Sequence, residues 1–125
     1  GLGYINTSTD VLEATYELTG ISASYVNIMA ANTDFSKIYI VTDGANWGDP
    51  GALVTFDVVS KSFESNKFLE SVQGLNGVAF DDGKVISFIS ESVTGNGLAK
   101  TYSEDGAFVK EYETGIAPFM LLSVE

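Results

Sequence analysis

The stretch Asp43-Gly44-Ala45-Asn46-Trp47-Gly48-Asp49-Pro50-Gly51 gathers the groups best able to do chemistry in this chain: its only tryptophan, two carboxylates, a side-chain amide and three glycines. An indole presented on a glycine-rich loop can stack on the apolar face of a sugar or anchor a protein partner. Asp43, Asn46 and Asp49 offer oxygens that suit calcium, yet the bidentate Glu of a calcium loop is missing at the twelfth position. The same three residues are also ordinary turn formers, because Asp and Asn bond their own backbone. Trp47, Asp43, Asn46 and Asp49, together with Asn96 on a second polar loop, are the candidate ligand-binding residues. No catalytic or metal-ligating residue is assigned, and calcium is the one cofactor the loop could take.

Two acid pairs, Asp81-Asp82 and Glu104-Asp105, raise the question of glycoside hydrolysis, which needs two carboxyl groups flanking a bond. Both pairs precede a glycine in turn-like sequence, where backbone reasons explain them. Gly1-Leu2-Gly3 and Gly95-Asn96-Gly97 lack the following helix or Lys-Ser/Thr of a phosphate loop. Histidine and cysteine are both absent, which removes the commonest general base, thiolate chemistry and disulfides. Six Lys and Arg against 17 Asp and Glu give a net charge of −11. That surface repels phosphate backbones, so no nucleic-acid partner is expected, and it also favours solubility.

The elements that must position these groups are strands. Helical periodicity is nearly absent, and short apolar or alternating runs are separated by Gly, Asn, Asp and Ser. Leu12, Ala14, Tyr16 and Leu18 alternate with Glu13, Thr15 and Glu17, which predicts a half-buried strand over 11–18 paired with 2–5. Further strands are expected over 25–30, 37–41, 52–58, 62–69, 77–80, 85–89, 98–102, 107–112 and 118–124. Strands 37–41 and 85–89 are apolar on both faces and should be covered on both. Asp82-Gly83 reads as a tight hairpin turn. The 125 residues suit one domain. No run of about 18 apolar residues predicts a membrane span, and no signal peptide is evident. The chain opens in strand-like sequence, as a mature form or an excised piece would.

These segments repeat. Tyr4, Phe56 and Tyr102 each end a strand before a polar turn. Leu12, Phe63 and Phe108 begin the next strand, and Tyr16, Phe68 and Tyr112 follow, with one extra residue in the middle copy that suggests a bulge. Ile21, Leu75 and Ile116 each follow a glycine and open a new unit. Four strands repeated every 46 to 52 residues mark β-propeller blades. The expected fold is therefore all-β, with a blade remnant over 1–18, whole blades over 25–69 and 77–112, and an inner strand over 116–125. A β-sandwich or jelly roll with a fortuitous repeat is the alternative. Two blades do not close a ring. The remainder would come from further blades of a longer chain or from self-association.

The run Ile38 to Gly48, followed by Gly51-Ala52-Leu53-Val54-Thr55-Phe56-Asp57, resembles a blade motif of secreted seven-bladed propellers of the YncE-like and NHL types, common in gut Bacteroidetes. There a strand ends in an Asn/Asp-x-Gly loop carrying an aromatic, and a Gly-Ser/Ala-Leu strand ending in Tyr/Phe-Asp follows. Thr94 to Ser103 fits the same frame more loosely. The resemblance implies a surface, extracellular or periplasmic location and a non-enzymatic binding or scaffold role, for a glycan or protein ligand on the face carrying the Trp47 loop. The alternatives are a carbohydrate-binding β-sandwich and part of a propeller enzyme whose catalytic residues lie elsewhere.

Overall fold

The computed structural model describes residues 1–122 and Val124. Their regular structure is all strand, in three antiparallel sheets. Among the described residues no helix is long and apolar enough to cross a membrane. A hairpin joins β1 (Leu2–Asn6) to β2 (Val11–Tyr16). The next sheet runs β3 (Met29–Ala31), β4 (Lys37–Asp43), β5 (Pro50–Asp57), with β6 (Ser62–Phe63) and β7 (Leu69–Gln73) both on the free edge of β5. The third runs β8 (Leu75–Asp81), β9 (Lys84–Ile89), β10 (Asn96–Ser103), β11 (Phe108–Ile116). Each sheet is a meander made from one continuous segment. Among the described residues the interleaved strand order of a jelly roll does not occur.

The turns follow from their residues. Asp82 and Gly83 both take positive φ, 46° and 69°, which is what a two-residue hairpin between Asp81 and Lys84 requires. Asn32 anchors the β3–β4 turn by accepting from the Lys37 N–H at 2.9 Å, and it donates to Glu104 of the third sheet at 3.2 Å.

The core lies between the second and third sheets. Tyr39, Val41, Leu53, Leu75, Val78 and Val85 are buried together there. The Tyr39 ring stacks on Phe80 (6.1 Å) and meets Phe68 edge-on (5.4 Å). Burial first, then the charges of Glu104 and Glu64, pushes the Tyr39 hydroxyl up to about 12. Ile86, Phe88 and Ala99 bury the opposite face of the third sheet.

The repeat reappears as contacts. Phe56 is paired with Phe63, and Tyr102 with Phe108, each ring pair edge-on. Tyr16 of the hairpin packs on Phe56 at 5.1 Å, and Phe68 of the second sheet packs edge-on on Tyr102 at 5.9 Å. The hairpin and the second sheet thus each set an aromatic from their last strand region on the third strand of the next sheet. Gly51 and Gly97 occupy matching positions in β5 and β10. A Cβ on Gly51 would lie 3.1 Å from Leu75 Cβ, and one on Gly97 would overlap the Pro118 ring and lie 2.6 Å from the Ile89 carbonyl oxygen. At both places the segment leaving a sheet crosses the strand where glycine leaves room.

Several expectations need correction. The expected strand over 25–30 is short and begins at Met29; the Tyr25 N–H bonds the Gly44 carbonyl and the Val26 N–H bonds the Ser24 hydroxyl instead of a strand ladder. The strand over 62–69 is broken. Glu64 N–H bonds Thr55 O and Phe68 N–H bonds Leu53 O, so Val54 faces the excursion of Ser65, Asn66 and Lys67. Register shifts also occur in the other two copies, at Tyr4/Ile5 and Thr101/Tyr102, so the irregularity is general rather than confined to the middle one. The first shift pairs Leu12 with Ile5 and Ala14 with Tyr4. Ile5, not Tyr4, is therefore the counterpart of Phe56, and Leu12 leaves the face of Ala14 and Tyr16.

Ile116 ends β11 rather than opening a new unit, and residues 117–122 form no strand. The Asn76 side chain takes the Pro118 carbonyl at 3.0 Å, and the Phe119 backbone lies against Gly77. The rest of the strand expected over 118–124 includes Ser123, which with Glu125 lies outside the described residues. β9 is buried on both faces, as expected, whereas Ile38 and Ile40 of β4 are only half-buried.

Gly97→Ala is expected to lower stability by about 1–3 kcal/mol through forced backbone displacement, and by more than Gly51→Ala, whose nearest neighbour is a side chain. Urea unfolding of the two variants beside the parent measures the difference.

Candidate functional site

The loop from Asp43 to Gly51 reverses the chain between β4 and β5. Asp43 and Gly44 take φ of 57° and 66°, and Gly48 takes 82°, conformations that Asp tolerates and Gly adopts freely. Asp49 closes the loop. Its carboxylate accepts from the Asn46 N–H at 3.0 Å and from the Asn46 side chain at 2.9 Å, and its own N–H donates to the Asn46 carbonyl. Asn46 and Asp49 thus satisfy one another as turn partners.

Asp43 ties three segments together. Its carboxylate accepts from the Ser22 N–H and hydroxyl, each at 3.0 Å, and pairs with Lys67 at 3.0 Å. Burial pushes this carboxyl up, but the Lys67 ammonium and the two bonds from Ser22 outweigh it, and the net shift is downward. A carboxylate already held by an ammonium is poorly placed to ligate calcium. Among the described residues no three acidic side chains gather as a metal site would need.

Trp47 stands at the tip, 39% exposed. The Tyr25 ring meets it edge-on at 6.0 Å. Tyr25 N–H donates to the Gly44 carbonyl, and its hydroxyl, pushed above the usual phenol range by burial, donates to Asn76 at 2.9 Å. Asn76 is buried and passes the bond on to the Pro118 carbonyl. A continuous line, Trp47–Tyr25–Asn76–Pro118, therefore crosses one end of the second and third sheets. It links the segments that enter β3, enter β8 and leave β11.

Asn96 opens β10 at a position matching Pro50 of β5, and it bonds Glu113 of its own sheet. The structure places it at one end of an interior strand of the third sheet, bonded to Glu113 of β11 rather than to the Trp47 loop. Tyr25 and Asn76 are the members of the line that sequence reasoning passed over. The available signal was an amide directly after Gly74-Leu75, at the start of an otherwise apolar strand.

The acid pairs are engaged in turns. Asp82 pairs with Lys84 at 3.3 Å, Glu104 accepts from Asn32, and Asp105 accepts from Ser103, whose hydroxyl holds that carboxyl below the usual range. The six lysines are similarly occupied. Lys37, Lys67, Lys84 and Lys100 pair with acids, while Lys61 and Lys110 sit over the Tyr4 and Tyr112 rings.

No protein-family model matches this chain, and no curated protein matches it.

Because the Asp43 carboxyl is depressed in the folded chain, its contribution is complete above the ordinary carboxylate value of about 3.9 and is lost as pH falls through the folded value. Asp43→Asn keeps the positive φ accessible and removes only the charge. The variant is expected to be less stable by about 1 kcal/mol at neutral pH, with the gap closing below about pH 4. Thermal melts across pH test this.

Proposed function

We propose that this chain is a run of β-propeller units acting as a non-enzymatic binding module of a secreted, periplasmic or cell-surface protein, with a glycan as ligand at the Trp47 end. The observation that carries the reading is the Trp47 indole. It is half-exposed and held by the edge of Tyr25 on a loop whose turn is closed by its own Asn46–Asp49 bonds. An aromatic fixed in this way loses little freedom on binding and offers a flat apolar face. Sugar rings present matching C–H faces, and the nearby Asn46 amide and Asp49 carboxylate suit their hydroxyls.

The propeller part is supported by the repeated contacts between successive sheets, Tyr16 on Phe56 and Phe68 on Tyr102. It is supported also by the matching glycines at which Leu75 and Pro118 cross. The exposed acidic surface, with its cations engaged internally, favours neutral ligands over anionic ones.

A glycan array probed with the parent and with Trp47→Ala tests the assignment. Binding is expected to fall by about tenfold or more on losing the stacking surface, with Trp47→Phe retaining part of it. Equal binding by parent and Trp47→Ala would remove Trp47 from the site. A parent that bound no glycan but captured a protein ligand through Trp47 would move the ligand class.

A further inference from the structure

The Asn76 amide is buried, 5% exposed, near the start of β8. The pairing of β8 with β9 passes from Leu75–Ile89 directly to Gly77–Phe88, so Asn76 is the extra residue of a β-bulge. A bulge re-aims the side chain it carries. Here the amide reaches two groups that lie outside the strand ladder. Its nitrogen donates to the Pro118 carbonyl at 3.0 Å, and its oxygen accepts from the Tyr25 hydroxyl at 2.9 Å. The neighbouring Gly77 lets the Pro118 segment come this close, since a Cβ there would lie 2.7 Å from the Phe119 carbonyl oxygen.

The two bonds fix one another's direction. A proline carbonyl can only accept, so the amide nitrogen must face it. The amide oxygen is then left for Tyr25, and the phenol must donate. Tyr25 is in this way held at both ends, by its N–H on the Gly44 carbonyl at 3.2 Å and by its hydroxyl on Asn76. Its ring edge meets the Trp47 indole. The bonds of Asn46 with Asp49, and of Asp43 with Ser22 and Lys67, hold the backbone turn and its start rather than the indole itself.

We propose that Asn76 is a positioning residue for the Trp47 site and acts on it through the Tyr25 hydroxyl. The orientation of the indole is set from the third sheet, and it depends on that sheet staying docked with Pro118 in place. A ring offered in one orientation has less freedom to lose on binding. The consequence for affinity rests on the reading of Trp47 as a sugar-stacking surface, whereas the positioning itself does not.

Trp47 is the only tryptophan, so indole emission reports this site alone. Tyr25→Phe keeps the ring and removes the hydroxyl, and Asn76→Ala removes the amide. Each is expected to lower the anisotropy of the emission and to raise its quenching by acrylamide. The double variant should go no further than Asn76→Ala, because the two groups act in series. On a glycan array both variants should lose about threefold to tenfold in affinity for the glycans the parent retains. Asn32→Ala is the control. Its buried amide also reaches the third sheet, at Glu104, but from the turn at the opposite end of β4. It should lower stability and leave the emission as in the parent. Unchanged emission in either variant that folds by circular dichroism, a double variant that sums the two effects, or an equal change in Asn32→Ala would overturn the proposal. Tyr25→Phe decides by itself if Asn76→Ala does not fold. Altered emission in the variants of a parent that binds no glycan would leave the positioning standing and remove the sugar, so the two readings fail separately.

Discussion

The structure depends on one constraint: a four-stranded sheet of this size has two apolar faces and cannot hide both by itself. The chain meets it by setting each sheet against the next through a fixed contact. An aromatic near the edge of one sheet reaches the third strand of its neighbour, and the crossing segment lies over a glycine of that strand's counterpart. Tyr16 on Phe56 and Phe68 on Tyr102 are two cases of the first part. Leu75 at Gly51 and Pro118 at Gly97 are two cases of the second. The first core forms where two such sheets meet, around Tyr39, Leu53 and Val85.

Local irregularity serves this contact. In each copy the pairing between the third strand and the outer one slips, and in the first two the following aromatic meets the next sheet. Without the slip, period-two alternation would leave Leu12 and Tyr16, or Phe108 and Tyr112, on one face. With it, the first residue of each pair stays with its own sheet's landmark and the second turns to the other face. The slip in the middle copy is the largest. It carries Lys67 to Asp43, which fastens the start of the Trp47 loop.

Much of the fold was legible in the sequence, because strands and turns are written in short-range chemistry. The all-β class, the Asp82-Gly83 hairpin, the strands of the third sheet and the spacing of the aromatic landmarks could all be read from residue types. What could not be read were effects set by pairing. The identity of Ile5 rather than Tyr4 as the repeat's landmark depends on a slip of register. The break between β6 and β7 depends on which carbonyls Glu64 and Phe68 find. The loss of strand after Ile116 reflects a segment held by Asn76 and Gly77 of β8, at the far side of its own sheet. At the candidate site, Trp47 and the Asn46–Asp49 turn were visible as a loop, whereas Tyr25 and Asn76 join it through contacts from far along the chain.

The most direct test of the central claim is a pair of double-mutant cycles, one on Tyr16 and Phe56 and one on Phe68 and Tyr102, each residue changed to Leu and stability read by urea unfolding. If the sheets are joined by one repeated contact, both cycles should give a favourable coupling of similar size, about 0.5–1.5 kcal/mol. A coupling indistinguishable from zero in either pair would contradict the account.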